Sequence, residues 1–186
     1  MLIIGITGTN GAGKGTVVEY LITRRGFKHF SVRDYLTKEL NKQHLKASRP
    51  NLIDLANKLR KKNGPNFLAE TLYESARKTN RNCIIESLRN PSEVKTLRKK
   101  GKFYLFAVDA DPKIRYQRIK KRASTTDNSS FAEFIKTERS EMESDKPNEE
   151  NIHKCIKLAD FLFENNASFE NLYVKIDDAL EQIPEI

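Results

Sequence analysis

Nine consecutive residues, Gly8-Thr9-Asn10-Gly11-Ala12-Gly13-Lys14-Gly15-Thr16, carry the plainest chemistry in this chain. Glycines lack a Cβ, so the turn can wrap closely and point successive backbone N–H groups inward. Lys14 adds a mobile cation suited to β- and γ-phosphates, and a helix opening beside it adds unpaired N–H groups and the positive end of its dipole. The context agrees. Leu2-Ile3-Ile4-Gly5-Ile6 reads as a buried strand, and Val17-Val18-Glu19-Tyr20-Leu21-Ile22 as an amphipathic helix with Val17, Val18, Leu21 and Ile22 inward. Strand, glycine turn, Lys, Thr and helix is the pattern of a phosphate-binding loop. A merely structural glycine turn seldom carries this lysine in this context. One departure matters. The general pattern ends Gly-Lys-Ser/Thr, whereas position 15 is Gly and the hydroxyl arrives at Thr16. Thr16 therefore has two readings: a direct contact to Mg²⁺, or a hold on a phosphate oxygen, with the metal left to water and acidic side chains.

The elements that must position this loop follow in order. Apolar runs predict further strands at 27–32, 82–86, 102–109 and 160–164. Helical periodicity predicts helices at about 14–25, 33–40, from Pro50 onward, from 66, 91–100, from 112, 131–142, from 152 and from 169. Strands alternating with helices argue for one parallel sheet between helical layers. In such sheets ligands bind at the carboxyl ends of the strands. The glycine loop, Arg33-Asp34, Glu86-Ser87-Leu88-Arg89 and Asp109-Ala110-Asp111 should then share one cleft.

Each has a functional reading and a plain one. Glu86 could position Mg²⁺ through water, or be a strand-end surface acid. Arg89 could pair an acceptor phosphate bidentately, or pair locally with Glu86 or Glu93. Asp34 could orient an acceptor hydroxyl or a metal-bound water, or cap the helix after strand two. Arg115, Arg118 and Arg122 recur at helical spacing and could close on donor phosphates, or be solvated charges. The small, polar stretch 123–130 reads as a mobile break. Beyond it, Arg139 could reach back on closure or pair with Glu138 or Glu143.

Composition bounds the rest. The chain has 186 residues, enough for one α/β domain. Hydrophobic residues at 38% under charged residues at 32% fit a soluble globular protein. No apolar run approaches the ~20 residues that span a bilayer, and the short first run reads as a strand, not a signal peptide. The net charge of +9 suits a polyanionic ligand, nucleotide or nucleic acid. Cys83 and Cys155 lie in apolar patterns and read as reduced core residues, with the cytoplasm as the default compartment. His29, His44 and His153 lack zinc-like spacing.

These residues resemble those of a known group. The Gly-Lys-Gly-Thr ending of the loop looks like that of adenylate kinase and other nucleoside monophosphate kinases. Ser31-Val32-Arg33-Asp34 resembles their Ser-x-Gly-Asp segment, with Arg33 for Gly. Glu86-Ser87-Leu88-Arg89 resembles their Asp-Gly-x-x-Arg segment, with Glu for Asp and the arginine one residue early. Arg118-Ile119-Lys120-Lys121-Arg122 resembles the arginine-bearing lid helix, and Arg139 a later lid arginine. Ala159-Asp160-Phe161-Leu162-Phe163-Glu164-Asn165 resembles a final strand and turn found also in dephospho-coenzyme A kinase. The resemblance implies a P-loop NTPase fold: a three-layer α/β/α single domain over 1–186, with five parallel strands ordered 2-3-1-4-5. It also implies an acceptor region at 33–80 and a short helical lid at 120–140.

The expected activity is transfer of the γ-phosphoryl of ATP, with Mg²⁺, to a nucleotide-like acceptor, a nucleoside monophosphate first and dephospho-coenzyme A as the alternative. Gly8 through Thr16, with Arg118, Arg122 and Arg139, would hold the donor. Arg89 and Arg33, with Arg49 or Arg60 as helpers and Asp34 and Glu86 nearby, would hold the acceptor. The residues in chemical roles would be Lys14, Asp34, Arg89, Arg118 and Arg122. If the acceptor were a ribose hydroxyl, Asp34 would be the base. A switch or ATPase acting with a protein or RNA partner is motivated by the positive charge. A binding module without chemistry is opposed by intact Lys14 and Thr16.

Overall fold

The first strand, β1 (Ile3–Gly8), is buried along its whole length. It lies between two other strands, and its side chains pack into a core on each face, which is why it reads as a continuous apolar run. The computed structural model describes residues 1–122, 130–142, 144, 146 and 148–184, and not the side chains of residues 140 and 141. Residues 123–129 of the expected lid, together with Glu143 and Pro147, lie outside the described residues.

After β1 come α1 (Lys14–Arg25), β2 (Lys28–Ser31), α2 (Val32–Lys42), α3 (Arg49–Asn63), α4 (Phe67–Arg77) and β3 (Cys83–Glu86). Then follow α5 (Pro91–Arg98), β4 (Phe103–Asp109), α6 (Pro112–Arg122), α7 (Phe131–Met142), α8 (Ile152–Lys157), β5 (Phe161–Glu164) and α9 (Phe169–Glu181). The five strands form one sheet in the order β2-β3-β1-β4-β5, and every pairing is parallel. This is the expected order. Register aligns the strand ends: Ser31 and Ile6 both sit opposite Glu86, Gly8 opposite Val108, and Asp109 opposite Glu164.

Side chains alternate across the sheet and build a core on each face. Ile4 and Ile6 join Val17, Leu21, Phe106, Phe163 and Ile176 under α1 and α9. Ile3, Ile85 and Leu105 join Leu36, Leu52, Leu68, Leu72 and Leu97 under α2 to α5. Full burial of a side chain such as Ile4 or Ile6, each 0% exposed, contributes about 1.5–3 kcal/mol. Ile22 departs from expectation: it is 38% exposed, because α1 turns only Val17, Val18 and Leu21 inward. Cys83 and Cys155 are free and buried. Burial pushes the Cys155 thiol well above its ordinary pKa and keeps it protonated. Among the described residues, no helix is long and apolar enough to cross a membrane.

Candidate active site

The turn from β1 to α1 is shaped by backbone demands that few side chains meet. Gly8 has φ 130, and a Cβ there would lie 2.0 Å from the Val108 carbonyl oxygen of β4. Gly13 has φ 102, and its Cβ would lie 2.4 Å from Nδ2 of Asn165. Gly13 precedes α1 and offers no side-chain cap; the Thr16 N–H of the first turn donates to the Gly13 carbonyl at 3.0 Å, and a helix start of this kind suits an anion. Gly15 lines a cavity, and a Cβ there would meet no atom within 4 Å. The glycine thus leaves room for a ligand rather than for protein.

The loop is fastened from below. Thr9 Oγ1 donates to Asp109 at 2.6 Å. Asn165 Nδ2 donates to the Ala12 carbonyl at 2.8 Å, and Arg118 Nη1 reaches the same oxygen at 3.4 Å. Gly8, Thr9 and Ala12 therefore form the loop's supported underside, and none of them lines the cavity. Lys14 Nζ folds over the turn, donating to the carbonyls of Gly8 at 2.9 Å and Thr9 at 2.7 Å.

The cavity measures about 630 Å³, within the range of small-molecule sites. One wall is the loop: Asn10, Gly11, Gly13, Lys14, Gly15 and Thr16. The opposite wall is apolar, made by Val32, Leu36, Leu52, Ile53 and Ala56, and is studded with Arg33, Arg49 and Arg60. Glu86, Ser87 and Arg89 lie between the two walls. Arg118 and Arg122 stand over the loop, with Asn165 and Phe169 at its side. Many of the residues expected to share one cleft line this cavity, whereas Gly8, Thr9, Ala12, Asp34, Asp109, Ala110, Asp111 and Arg139 do not.

Glu86 faces the cavity with its carboxylate 2.9 Å from His29 Nε2 on β2. Among the described residues, no group of three or more His, Cys, Asp or Glu side chains could hold a metal. Ser87 has φ 69, the left-handed region that suits glycine, which stands here in the segment the chain resembles. Thr7 Oγ1 donates to the Leu88 carbonyl at 2.7 Å, fixing the turn. Replacing Ser87 with glycine should raise stability by roughly 0.5–1 kcal/mol, the relief of left-handed strain less the entropy of an added glycine. Urea unfolding measures it. A loss of stability would mean that the serine side chain holds the turn.

Glu93 organises the arginine-bearing side of the cavity. It is 0% exposed and completes a capping box with Asn90 at the start of α5. Its Oε2 accepts from the backbone N–H groups of Arg89 and Asn90, each at 3.0 Å. Its Oε1 accepts from Arg60 Nε at 3.0 Å and Nη2 at 2.8 Å. Arg89 Nη1 pairs with Glu150 at 2.9 Å. The local alternatives for Arg89, Glu86 and Glu93, give way to this distant carboxylate, although Glu93 does hold the Arg89 backbone.

Several expectations are corrected. Asp34 is exposed and does not line the cavity. Ser31 caps α2 by accepting from the Asp34 N–H, which puts Asp34 in the first turn, facing away. Arg139 is exposed and off the cavity, because Glu138, one position earlier on α7, faces inward. Arg60 lines the cavity, but its side chain is 1% exposed and bound to Glu93. Arg115 is a brace: it is 3% exposed, donates to the carbonyls of Ala110 at 2.7 Å and Asn10 at 3.3 Å, and pairs with Glu138. Sequence reasoning missed Glu150, Asn165 and Phe169 as cavity residues. A stricter use of the strand-end rule would have reached Asn165, which follows β5. Glu93 carried the Asn-x-x-Glu capping signal.

A glycine loop between β1 and α1 of a parallel 2-3-1-4-5 sheet defines a P-loop NTPase fold. Solved structures agree. A shikimate kinase from Bacteroides thetaiotaomicron superposes with a TM-score of 0.59 at 13% identity, covering 97% of this chain and 98% of that one. A gluconokinase from Sinorhizobium meliloti gives 0.59 at 12% identity, covering 99% and 94%. In sequence, residues 4–146 match the AAA domain family. A UPF0200 protein of Methanocaldococcus jannaschii is 31% identical over 98% of this chain and 91% of its own. The chain belongs to the AAA domain family and to the UPF0200 proteins.

Proposed function

We propose that this protein is an ATP-dependent small-molecule kinase whose acceptor is nucleotide-like, a nucleoside monophosphate first. The observation that carries the reading is the single cavity joining the glycine loop to an apolar, arginine-studded wall. The loop N–H groups and Lys14 would take the β- and γ-phosphates, Lys14 leaving the carbonyls it now holds. The base of the acceptor would lie on Leu36, Leu52, Ile53 and Ala56, and its phosphate would face Arg33, Arg49 and Arg89. Arg118 and Arg122, which line the same cavity, would neutralise charge on the transferring phosphoryl. The bond from the γ-phosphorus to the β–γ bridging oxygen breaks, one to an acceptor oxygen forms, and ADP leaves. The protein supplies position and positive charge.

Mg²⁺, when bound, would supply positive charge to the donor phosphates. Thr16 and Glu86, whose oxygens belong to residues lining the cavity, would hold it, partly through water. Residues 33–80 would form the acceptor region and 120–140 a lid, of which the described Glu138 pairs with Arg115.

Asp34 lies off the cavity, which disfavours it as a base for a ribose hydroxyl and so disfavours the dephospho-coenzyme A alternative. A phosphate oxygen acceptor needs no base. One observation favours a second reading: Glu86, held by His29, is a cavity carboxylate that could accept a hydroxyl proton, and two structural neighbours are named for shikimate and gluconate. Assaying ADP release with ATP and Mg²⁺ against nucleoside monophosphates, dephospho-coenzyme A, shikimate and gluconate decides. A nucleoside monophosphate should raise turnover at least about tenfold over no acceptor. Stimulation by shikimate or gluconate alone would establish the second reading. Turnover raised only by RNA or a protein partner would replace both with a switch.

A further inference from the structure

Arg60 is buried with one nitrogen unspent. Nε and Nη2 are bound to Glu93, whereas Nη1 has no hydrogen-bond partner among the described residues. An unmet buried N–H of a charged group is costly and calls for an explanation such as a ligand. Arg60 belongs to the cavity wall, as do Arg89 and Glu150. Glu93 bonds both the Arg60 guanidinium and the Arg89 N–H, so the two arginines stand in one rigid frame.

Among the described ion pairs of that frame, Arg60 faces Glu93 and Arg89 faces Glu150. Glu150 reaches Arg89 from the segment between α7 and α8. Its backbone is anchored there by Asn90 Nδ2 to the Glu149 carbonyl and by Asn151 N–H to the Arg89 carbonyl, each at 2.8 Å. The carboxylate can leave by side-chain rotation while the backbone stays.

We infer that Arg60 and Arg89 form one subsite for a phosphate monoester of the acceptor, and that Glu150 is its internal occupant, exchanged for the substrate's phosphate. This deepens, and rests on, the reading of the cavity as the site of an anionic acceptor. The exchange sets selectivity. An incoming carboxylate only replaces like with like. A phosphate monoester brings a charge of about −1.5 to −2 and three acceptor oxygens, enough to span Arg60 Nη1 and the Arg89 fork. Glu150 thereby raises the threshold against carboxylate-bearing acceptors. The bland alternative for Nη1 is a water shared with Asn57 Oδ1, the other buried atom without a partner among the described residues.

Titration of the full chain with inorganic phosphate by calorimetry tests this, the donor loop having first been filled with a non-hydrolysable ATP analogue. Glu150→Gln should tighten phosphate binding about tenfold, and acetate by a larger factor. Adding Arg60→Lys, which keeps a cation on Glu93 but removes Nη1, should reverse the phosphate gain. Unchanged phosphate affinity in Glu150→Gln overturns the proposal, as does a double variant that binds like Glu150→Gln, the result expected of the shared water. Should the double variant not fold, the guanidinium ¹⁵N resonance of Arg60 in Glu150→Gln should move on phosphate addition. A static resonance overturns the idea. Failure of the analogue to bind refutes the donor reading separately, and the phosphate series can still be read without it.

Discussion

Glu93→Ala should lower stability by about 3–5 kcal/mol, because it strands a buried cation. Arg60 is 1% exposed and Glu93 0%, so water cannot replace the lost carboxylate. The same change removes the acceptor for the Arg89 and Asn90 N–H groups and half of the α5 capping box. For a chain of this size the loss corresponds to a fall in melting temperature of about 6–20 °C. Glu93→Gln should lie between, since an amide oxygen can still accept two hydrogen bonds while the charge is gone. Replacing both partners by Met and Leu should cost less than Glu93→Ala alone, as buried pairs exchanged for apolar groups usually do. Chemical denaturation of the three variants measures these values. A cost below about 1 kcal/mol for Glu93→Ala would show that solvent reaches this pair.

Lys14→Ala should leave the fold intact and lower phosphoryl transfer at least about a thousandfold, the scale of losing a preorganised charge from a transferring group. The side chain donates to two carbonyls of its own loop and packs in neither core, so stability should stay within about 1 kcal/mol. ADP release measured beside circular dichroism separates the two effects. Transfer at the unaltered rate would remove residues 8–16 from the donor role.

The glycine-loop half of the candidate site was legible because it is contiguous. Strand, loop, lysine and helix sit within one stretch, and each residue type states its own reason. The strand order was legible through resemblance, and the elements through apolar runs and periodicity. The arginine-lined half was less so, for two physical reasons. The partners of Arg60 and Arg89 lie 33 and 61 residues away, and a polar pair leaves no period in a sequence. On a helix, moreover, one position is about 100° of rotation. That angle separates Glu138, which meets Arg115, from Arg139, which faces solvent. Ser31 and Asp34 compete for one cap, and the hydroxyl at the cap position itself wins.

The central place of β1 governs the order in which the molecule can be assembled. Its edge is met by residue 82, 80 positions on. The loop's Thr9 waits for Asp109, 100 positions on, and the Ala12 carbonyl for Asn165, 153 positions on. The phosphate loop is therefore synthesised long before anything exists to give it its shape. A chain released before Asn165 would carry the whole motif in letters and lack one of the braces that make it a place where phosphate can rest. Binding of a nucleotide at this loop would thus report completion of the sheet, and an unfinished chain would be one such a ligand cannot stabilise.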